Sequence, residues 1–139
     1  MRVYFDACIA IYYVERHPVY FHKVCSGLFV LGEPDKQVVV SELVRLECLV
    51  HPRRSGLTEL LARFDEFFSL PDLGWANLDR ATFDLATDLR ALHRLKTPDA
   101  LHLVAALEAG CGEFWTNDLR LASAAGGRIR IVTPDGLAP

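Results

Sequence analysis

Four acidic residues, Asp6, Glu47, Asp99 and Asp118, stand where a hydrophobic pattern surrounds them. Asp6 ends the run "MRVYFD", and Asp118 ends "EFWTND". Glu47, inside "SELVRLECLV", has Leu43, Val44 and Val50 at helical i−4, i−3 and i+3 spacing, so it lies on or beside an apolar face. Asp99 opens "TPDALHLVAALEAG", an otherwise apolar helical stretch. Two carboxylates held about 4 Å apart repel by on the order of 4 kcal/mol at an effective dielectric near 20. A cation removes that cost. Hard divalent ions such as Mg²⁺ and Mn²⁺ prefer a few carboxylate oxygens, with waters completing the shell. Such an ion can generate a hydroxide nucleophile and steady charge developing on a phosphate.

Each acid also has a plainer reading. Glu47 could pair with Arg45 or Arg54 at the helix edge. Asp99 follows Thr97, a good N-cap, and Pro98, suited to the first helical turn, where an acid gains from the helix dipole. Glu42, directly after the capping candidate Ser41, needs no more than that dipole. What sets the four apart is where the elements would bring them.

"RVYF" (2–5), "QVVV" (37–40), "EFWT" (113–116) and "RIRIV" (128–132) read as strands, and "LGWANL" (73–78) as a minor one. Helical stripes lie between them: Leu57, Leu60, Leu61, Phe64 and Phe68; then Leu78, Ala81, Leu85, Leu89 and Leu92; then Ala100, Leu103, Val104 and Leu107. Gly110 and Gly112 close the last helix and lead into "EFWT". Alternating strands and helices predict a three-layer α/β/α sandwich around a mostly parallel sheet. With no repeat, low-complexity tract or linker, residues 1–139 read as one domain. In such a sheet the strand C-termini share one edge, where ligands bind. Asp6 and Asp118 fall on that edge. Asp99 joins them, because its helix crosses the sheet one way and the strand ending near Asp118 returns.

Bulk properties narrow the field. The chain is 139 residues long and 51% apolar, with 18 acids against 15 bases for a net charge of −3. That balance argues against a broad basic surface coating nucleic acid. No run reaches the ~18 apolar residues of a membrane span, and no signal peptide opens the chain. Cys8, Cys25, Cys48 and Cys111 lack CxxC spacing and read as reduced, mostly buried thiols of a cytoplasmic protein. A zinc site using Cys25 with His17 or His22 is a weaker option, since the paired ligand spacing is missing.

The four segments "VYFDACI", "SELVRLE" (the acid six residues after the serine), "TPDALHLVAALEAGC" and "FWTNDLRLA" occur in order across nearly the whole chain. In order and context they resemble the PIN-domain nucleases, and among them the VapC-like toxin ribonucleases of toxin–antitoxin systems. The resemblance implies a catalytic, metal-binding centre of Asp6, Glu47, Asp99 and Asp118 holding Mg²⁺ or Mn²⁺, with Thr116, Asn117 and Ser41 around it. It implies endonucleolytic hydrolysis of RNA by activated water, leaving 5′-phosphate and 3′-hydroxyl ends. It also implies a homodimer in the cytoplasm and a small antitoxin partner. Two positions depart from the family pattern: Ala7 stands where many relatives carry a hydroxyl, and Arg120 where some carry a further acid. The first loosens the expected support of Asp6, and the second leaves one carboxylate at the last corner.

Arg90, Arg94, Lys96 and Arg120 are the candidate RNA-binding rim, by nearness in sequence to Asp99 and Asp118. His102, at i+3 from Asp99, reads as a hydrogen-bonding neighbour rather than an RNA contact. Ile9, Tyr12 and Tyr13, beside Asp6, read as core or as dimer and antitoxin surface. A DNA nuclease or a non-catalytic RNA- or protein-binding module on the same fold is the alternative. An aspartyl phosphatase would need an acid at Cys8. A phospho-accepting receiver would need a second acid after the first strand.

Overall fold

The run after Met1 becomes the middle strand of a sheet in which every strand points the same way. In the computed structural model, which describes residues 1–28 and 36–137, the chain order begins with β1 (Arg2–Phe5), α1 (Ala7–Val14) and α2 (Tyr20–Leu28). β2 (Gln37–Ser41), α3 (Glu42–Arg54), α4 (Thr58–Phe68) and β3 (Gly74–Ala76) follow. Then come α5 (Arg80–Leu92), α6 (Thr97–Glu108), β4 (Glu113–Trp115), α7 (Leu121–Ala125) and β5 (Arg130–Val132). The strand order is β3-β2-β1-β4-β5, and all four pairings are parallel.

This order fixes the layers. From β1 the chain steps outward through β2 to β3, then crosses back over to β4 and on to β5. Right-handed crossovers going in opposite directions put their helices on opposite faces. α1 to α4 accordingly pack on one another, and α5, α6 and α7 form the second group. The result is the expected α/β/α sandwich, with a sheet that is wholly parallel. Strands covered on both faces must be apolar throughout, and Val3, Tyr4, Phe5, Val39, Val40, Phe114 and Trp115 are all buried. α6 is covered nearly all round, with every residue from Ala100 to Ala106 buried.

Element boundaries shift by small amounts from the sequence reading. The strand read as 113–116 ends at Trp115, and the one read as 128–132 begins at Arg130. Left-handed glycines at Gly126 and Gly127 end α7 and hold the chain in a turn there. The minor strand of 73–78 forms as the short edge strand β3.

One helix face is a correction. On α5, Leu85 and Leu92 are exposed and Thr82, Ala86 and Leu89 are buried. Thr82 is drawn inward by three bonds. Its N–H donates to Asp79 Oδ1 at 3.1 Å, its hydroxyl oxygen accepts Asp79 N–H at 3.2 Å, and its hydroxyl proton goes to Glu108 Oε1 on α6 at 2.7 Å. The capping box at Asp79 fixes the start of the helix, and the bond to Glu108 on α6 selects the face it turns inward.

Candidate active site

The β1–β4 pairing continues one residue past β1, with Asp6 N–H donating to Trp115 O at 3.0 Å. It places Asp6 beside the Thr116–Asp118 corner, at the point where the strand order reverses. Both Asp6 oxygens are held. Oδ1 accepts from Ala7 N–H at 2.8 Å, and Oδ2 accepts from the Thr116 hydroxyl at 2.7 Å. The hydroxyl support missing at Ala7 is therefore supplied across the sheet. Thr116 Oγ1 also accepts from Asp118 N–H at 3.2 Å, so one side chain joins the two strand ends.

Asp118 faces Arg120. Its oxygens accept from Arg120 Nε at 2.9 and 3.0 Å and from Nη2 at 2.6 Å, and Oδ1 takes the Arg120 backbone N–H at 2.9 Å. These charge-assisted bonds hold the Asp118 carboxyl below the usual carboxylate range, and Lys96 adds a smaller pull in the same direction.

Asp99 enters in the first turn of α6. Lys96, rather than Thr97, occupies the cap position, and Thr97 takes a 2.9 Å bond from Arg90 Nη1. Burial raises the Asp99 pKa, and the negative charges of Asp6 and then Asp118 raise it further. His102 and Arg120 oppose that shift without cancelling it. Asp99 thus combines partial burial with two acidic neighbours, and both work against its ionised form.

Glu47 reaches the same edge from α3, with its carboxylate on His102 Nε2. The same nitrogen is 3.7 Å from Asp6 Oδ1. The expected alternative partner Arg45 lies instead against Glu42, 3.8 Å away. Ser41 caps α3 by accepting Val44 N–H at 3.3 Å, and its hydroxyl meets Tyr4 Oη at 2.8 Å.

The four acids therefore reach one edge, with Asp6, Glu47 and Asp118 each bonded to a partner within the protein. Among the described residues, no three His, Cys, Asp or Glu side chains converge closely enough to hold an ion as they are placed. Beside the acids opens a cleft of about 370 Å³, lined by Arg94, Lys96, Asp99, Asp118 and Arg120 among others. Arg90 lies apart from that lining. Its Nε and Nη1 are engaged by Leu95 O and Thr97 Oγ1, both at 2.9 Å, and so brace the corner before α6. Asn117 turns away from the carboxylates, donating to Tyr12 Oη at 3.1 Å. His17, the candidate zinc ligand, accepts Val19 N–H and Tyr20 N–H at Nδ1, at 3.1 and 3.2 Å.

A family model described as PIN domain matches residues 3–127 of the 139. The chain belongs to the PIN-domain family. No curated sequence matches this PIN domain. In fold it is similar to a chain of VapBC2 from Rickettsia felis, a structure bound to a DNA fragment from the promoter. That pair has a TM-score of 0.73 at 14% identity, covering 96% of this chain and 98% of that one. A toxin–antitoxin complex from Klebsiella pneumoniae aligns with a TM-score of 0.68 at 20% identity, covering 95% and 97%. FitAcB from Neisseria gonorrhoeae aligns at 0.58 and 13% identity, covering 97% and 99%.

Two residues of the PIN-domain site escaped the sequence reading. Tyr4 was absorbed into the strand pattern, although a phenol at a fully buried position needs a partner for its hydroxyl. His102 was seen as a neighbour of Asp99, whereas its hydrogen-bonded carboxylate is Glu47, 55 residues away. The available signal was an imidazole within the unbroken buried run from Ala100 to Ala106.

Proposed function

We propose that this PIN domain, one domain over residues 1–139, is a metal-dependent endoribonuclease and the toxin of a toxin–antitoxin pair. The observation that carries the reading is the placement of Asp6, Glu47, Asp99 and Asp118 along one sheet edge at the strand-order reversal, beside a cleft rimmed by Arg94, Lys96 and Arg120. A surface meant only to grip RNA gains nothing from four acids at its centre.

The residues fit a hard divalent cation such as Mg²⁺ or Mn²⁺ in kind. The donors are carboxylate oxygens, and Asp99, raised first by burial and then by Asp6 and Asp118, is a carboxyl whose ionised form a cation would stabilise. Asp6, Asp99 and Asp118 would hold the ion, with Glu47 as a further ligand or as the group that orients the attacking water. When bound, the ion supplies an activated water and stabilises charge on the phosphate. The chain's own groups do the rest. Thr116 and Ala7 N–H hold Asp6 in one orientation. Arg94 and Lys96 present positive charge to the backbone of a single strand lying in the cleft. Arg120 carries its charge at the mouth, with a side chain 81% exposed, where a phosphate could draw it away from Asp118.

The reading extends to an antitoxin partner, supported by likeness in fold to the Rickettsia felis and Klebsiella pneumoniae complexes, and to a homodimer, which rests on the family resemblance alone. The test is cleavage of a structured RNA pool with Mg²⁺ or Mn²⁺, with EDTA, and by Asp99→Asn prepared identically. Metal-dependent cleavage lost in Asp99→Asn supports the reading. Equal cleavage by the variant overturns it, and cleavage confined to a DNA substrate moves it to a DNA nuclease.

A further inference from the structure

We propose that His102 is a positioning residue for this site: locked from below by Tyr4 and Ser41, it fixes the Glu47 carboxylate relative to Asp6. The proposal rests on the nuclease reading above for its effect on rate, and on the geometry alone for the relay.

His102 is 1% exposed. A buried imidazole is costly unless both ring nitrogens are satisfied. Here both are: Nδ1 lies 2.8 Å from Tyr4 Oη, and Nε2 lies on Glu47. The chemistry of the neighbours gives the chain a direction. A carboxylate can only accept, so Nε2 carries a proton, and in the singly protonated ring Nδ1 presents a lone pair. Tyr4 must then donate to Nδ1. Burial pushes the Tyr4 pKa far above its ordinary value, so its proton stays on. Tyr4 Oη is also 2.8 Å from Ser41 Oγ, which already accepts Val44 N–H at 3.3 Å and so has its own proton to give. The donors run Ser41 to Tyr4 to His102 to Glu47, each satisfied and none competing.

The anchoring is doubled. Ser41 caps α3, the helix that carries Glu47, and also starts the relay that ends on the Glu47 side chain. Tyr4 and Asp6 are two residues apart on extended backbone, so they share one face of the sheet. A ring resting on Tyr4 is thereby referenced to Asp6, 3.7 Å from its Nε2. Glu47 needs this reference because its side chain is 35% exposed and its helix alone would leave several rotamers open. A histidine that merely filled the core would not hold both nitrogens on partners that lead to a second carboxylate.

The experiment uses the full chain and three variants, His102→Leu, His102→Gln and Tyr4→Phe, each checked for folding by circular dichroism and thermal unfolding. The first readout is ring ¹⁵N NMR of the metal-free protein in mildly alkaline buffer. Expected is a single Nε2–H tautomer in the wild type and a tautomer mixture in Tyr4→Phe. The second is RNA cleavage with Mn²⁺. kcat should fall roughly 10- to 100-fold in His102→Leu, with KM changed by less than about twofold. His102→Gln, whose amide can still donate to Glu47, should recover most of the loss. If His102→Leu does not fold, Tyr4→Phe and His102→Gln carry the test, with a lower kcat in Tyr4→Phe expected. A wild-type ring protonated at Nδ1, or wild-type kcat in a folded His102→Leu or in Tyr4→Phe, overturns the proposal. Should Asp99→Asn cleave as well as wild type, the nuclease reading fails while the ring spectrum still decides the relay.

Discussion

Arg120 grips Asp118 through three side-chain contacts of 2.6 to 3.0 Å, so a cation made of protein already sits on one of the four acids. The guanidinium is 81% exposed and the carboxylate 31%. An exposed pair of this kind is weak and easily exchanged. It nonetheless competes with any metal drawn to Asp118. Arg120→Gln should therefore tighten Mn²⁺ binding by roughly two- to fivefold, read by titration calorimetry at low salt. Unchanged affinity would mean that Asp118 takes no part in holding the ion.

Asp99 makes the opposite kind of prediction, about stability. Its carboxyl is raised by burial and by Asp6 and Asp118, so the folded protein binds that proton more readily than the unfolded chain does. Stability then falls as pH rises from the unfolded to the folded pKa, and the cost is fully present above the latter. Neutralising the side chain removes it. Asp99→Asn should raise the Tm of the metal-free protein at neutral pH and lose that advantage in acid, as differential scanning calorimetry would record. A lower Tm at neutral pH would contradict a net cost of the Asp99 charge in the folded protein.

The same shift governs ion binding. A carboxyl that protonates earlier than usual on acidification must give up its proton to bind a metal. Mn²⁺ affinity, and cleavage with it, should decline on acidification toward the raised Asp99 pKa, at a higher pH than an ordinary carboxylate would set. A flat profile would remove Asp99 from the metal site.

Thr116 joins the two strand ends, donating to Asp6 at 2.7 Å and accepting Asp118 N–H at 3.2 Å. Thr116→Val keeps the shape and removes both bonds in a residue only 1% exposed. It should cost about 1–3 kcal/mol by urea unfolding and roughly 10- to 100-fold in kcat. A folded variant with full activity would show that Ala7 N–H alone is enough to orient Asp6.

How far the sequence could be read depended on the range of the interaction. β1 and β2 were legible because β-branched and aromatic runs bounded by polar residues admit few other conformations. The meeting of Asp6, Asp99 and Asp118 was legible too, since it follows from parallel topology without any side-chain detail. The exposed face of α5 was not. Leu85 and Leu92 match the helical period as well as Ala86 and Leu89 do, and only the bond from Thr82 to Glu108, 26 residues on, selects the rotation. Glu47 was flagged correctly as an acid in need of a partner. The identity of that partner lay beyond any local pattern, because His102 meets it only through the packing of α6 against the sheet.

The strand pairing at the centre of the fold has a consequence in time. Asp6 emerges from a ribosome 110 residues ahead of the Thr116 that orients it. At roughly 5–20 residues per second, that gap lasts on the order of 5 to 20 seconds. Throughout it the nascent chain carries Asp6 with no β4 beside it, and a chain broken off before Glu113 lacks β4 altogether. A truncated or unfinished product thus lacks, by topology alone, the strand end that orients Asp6.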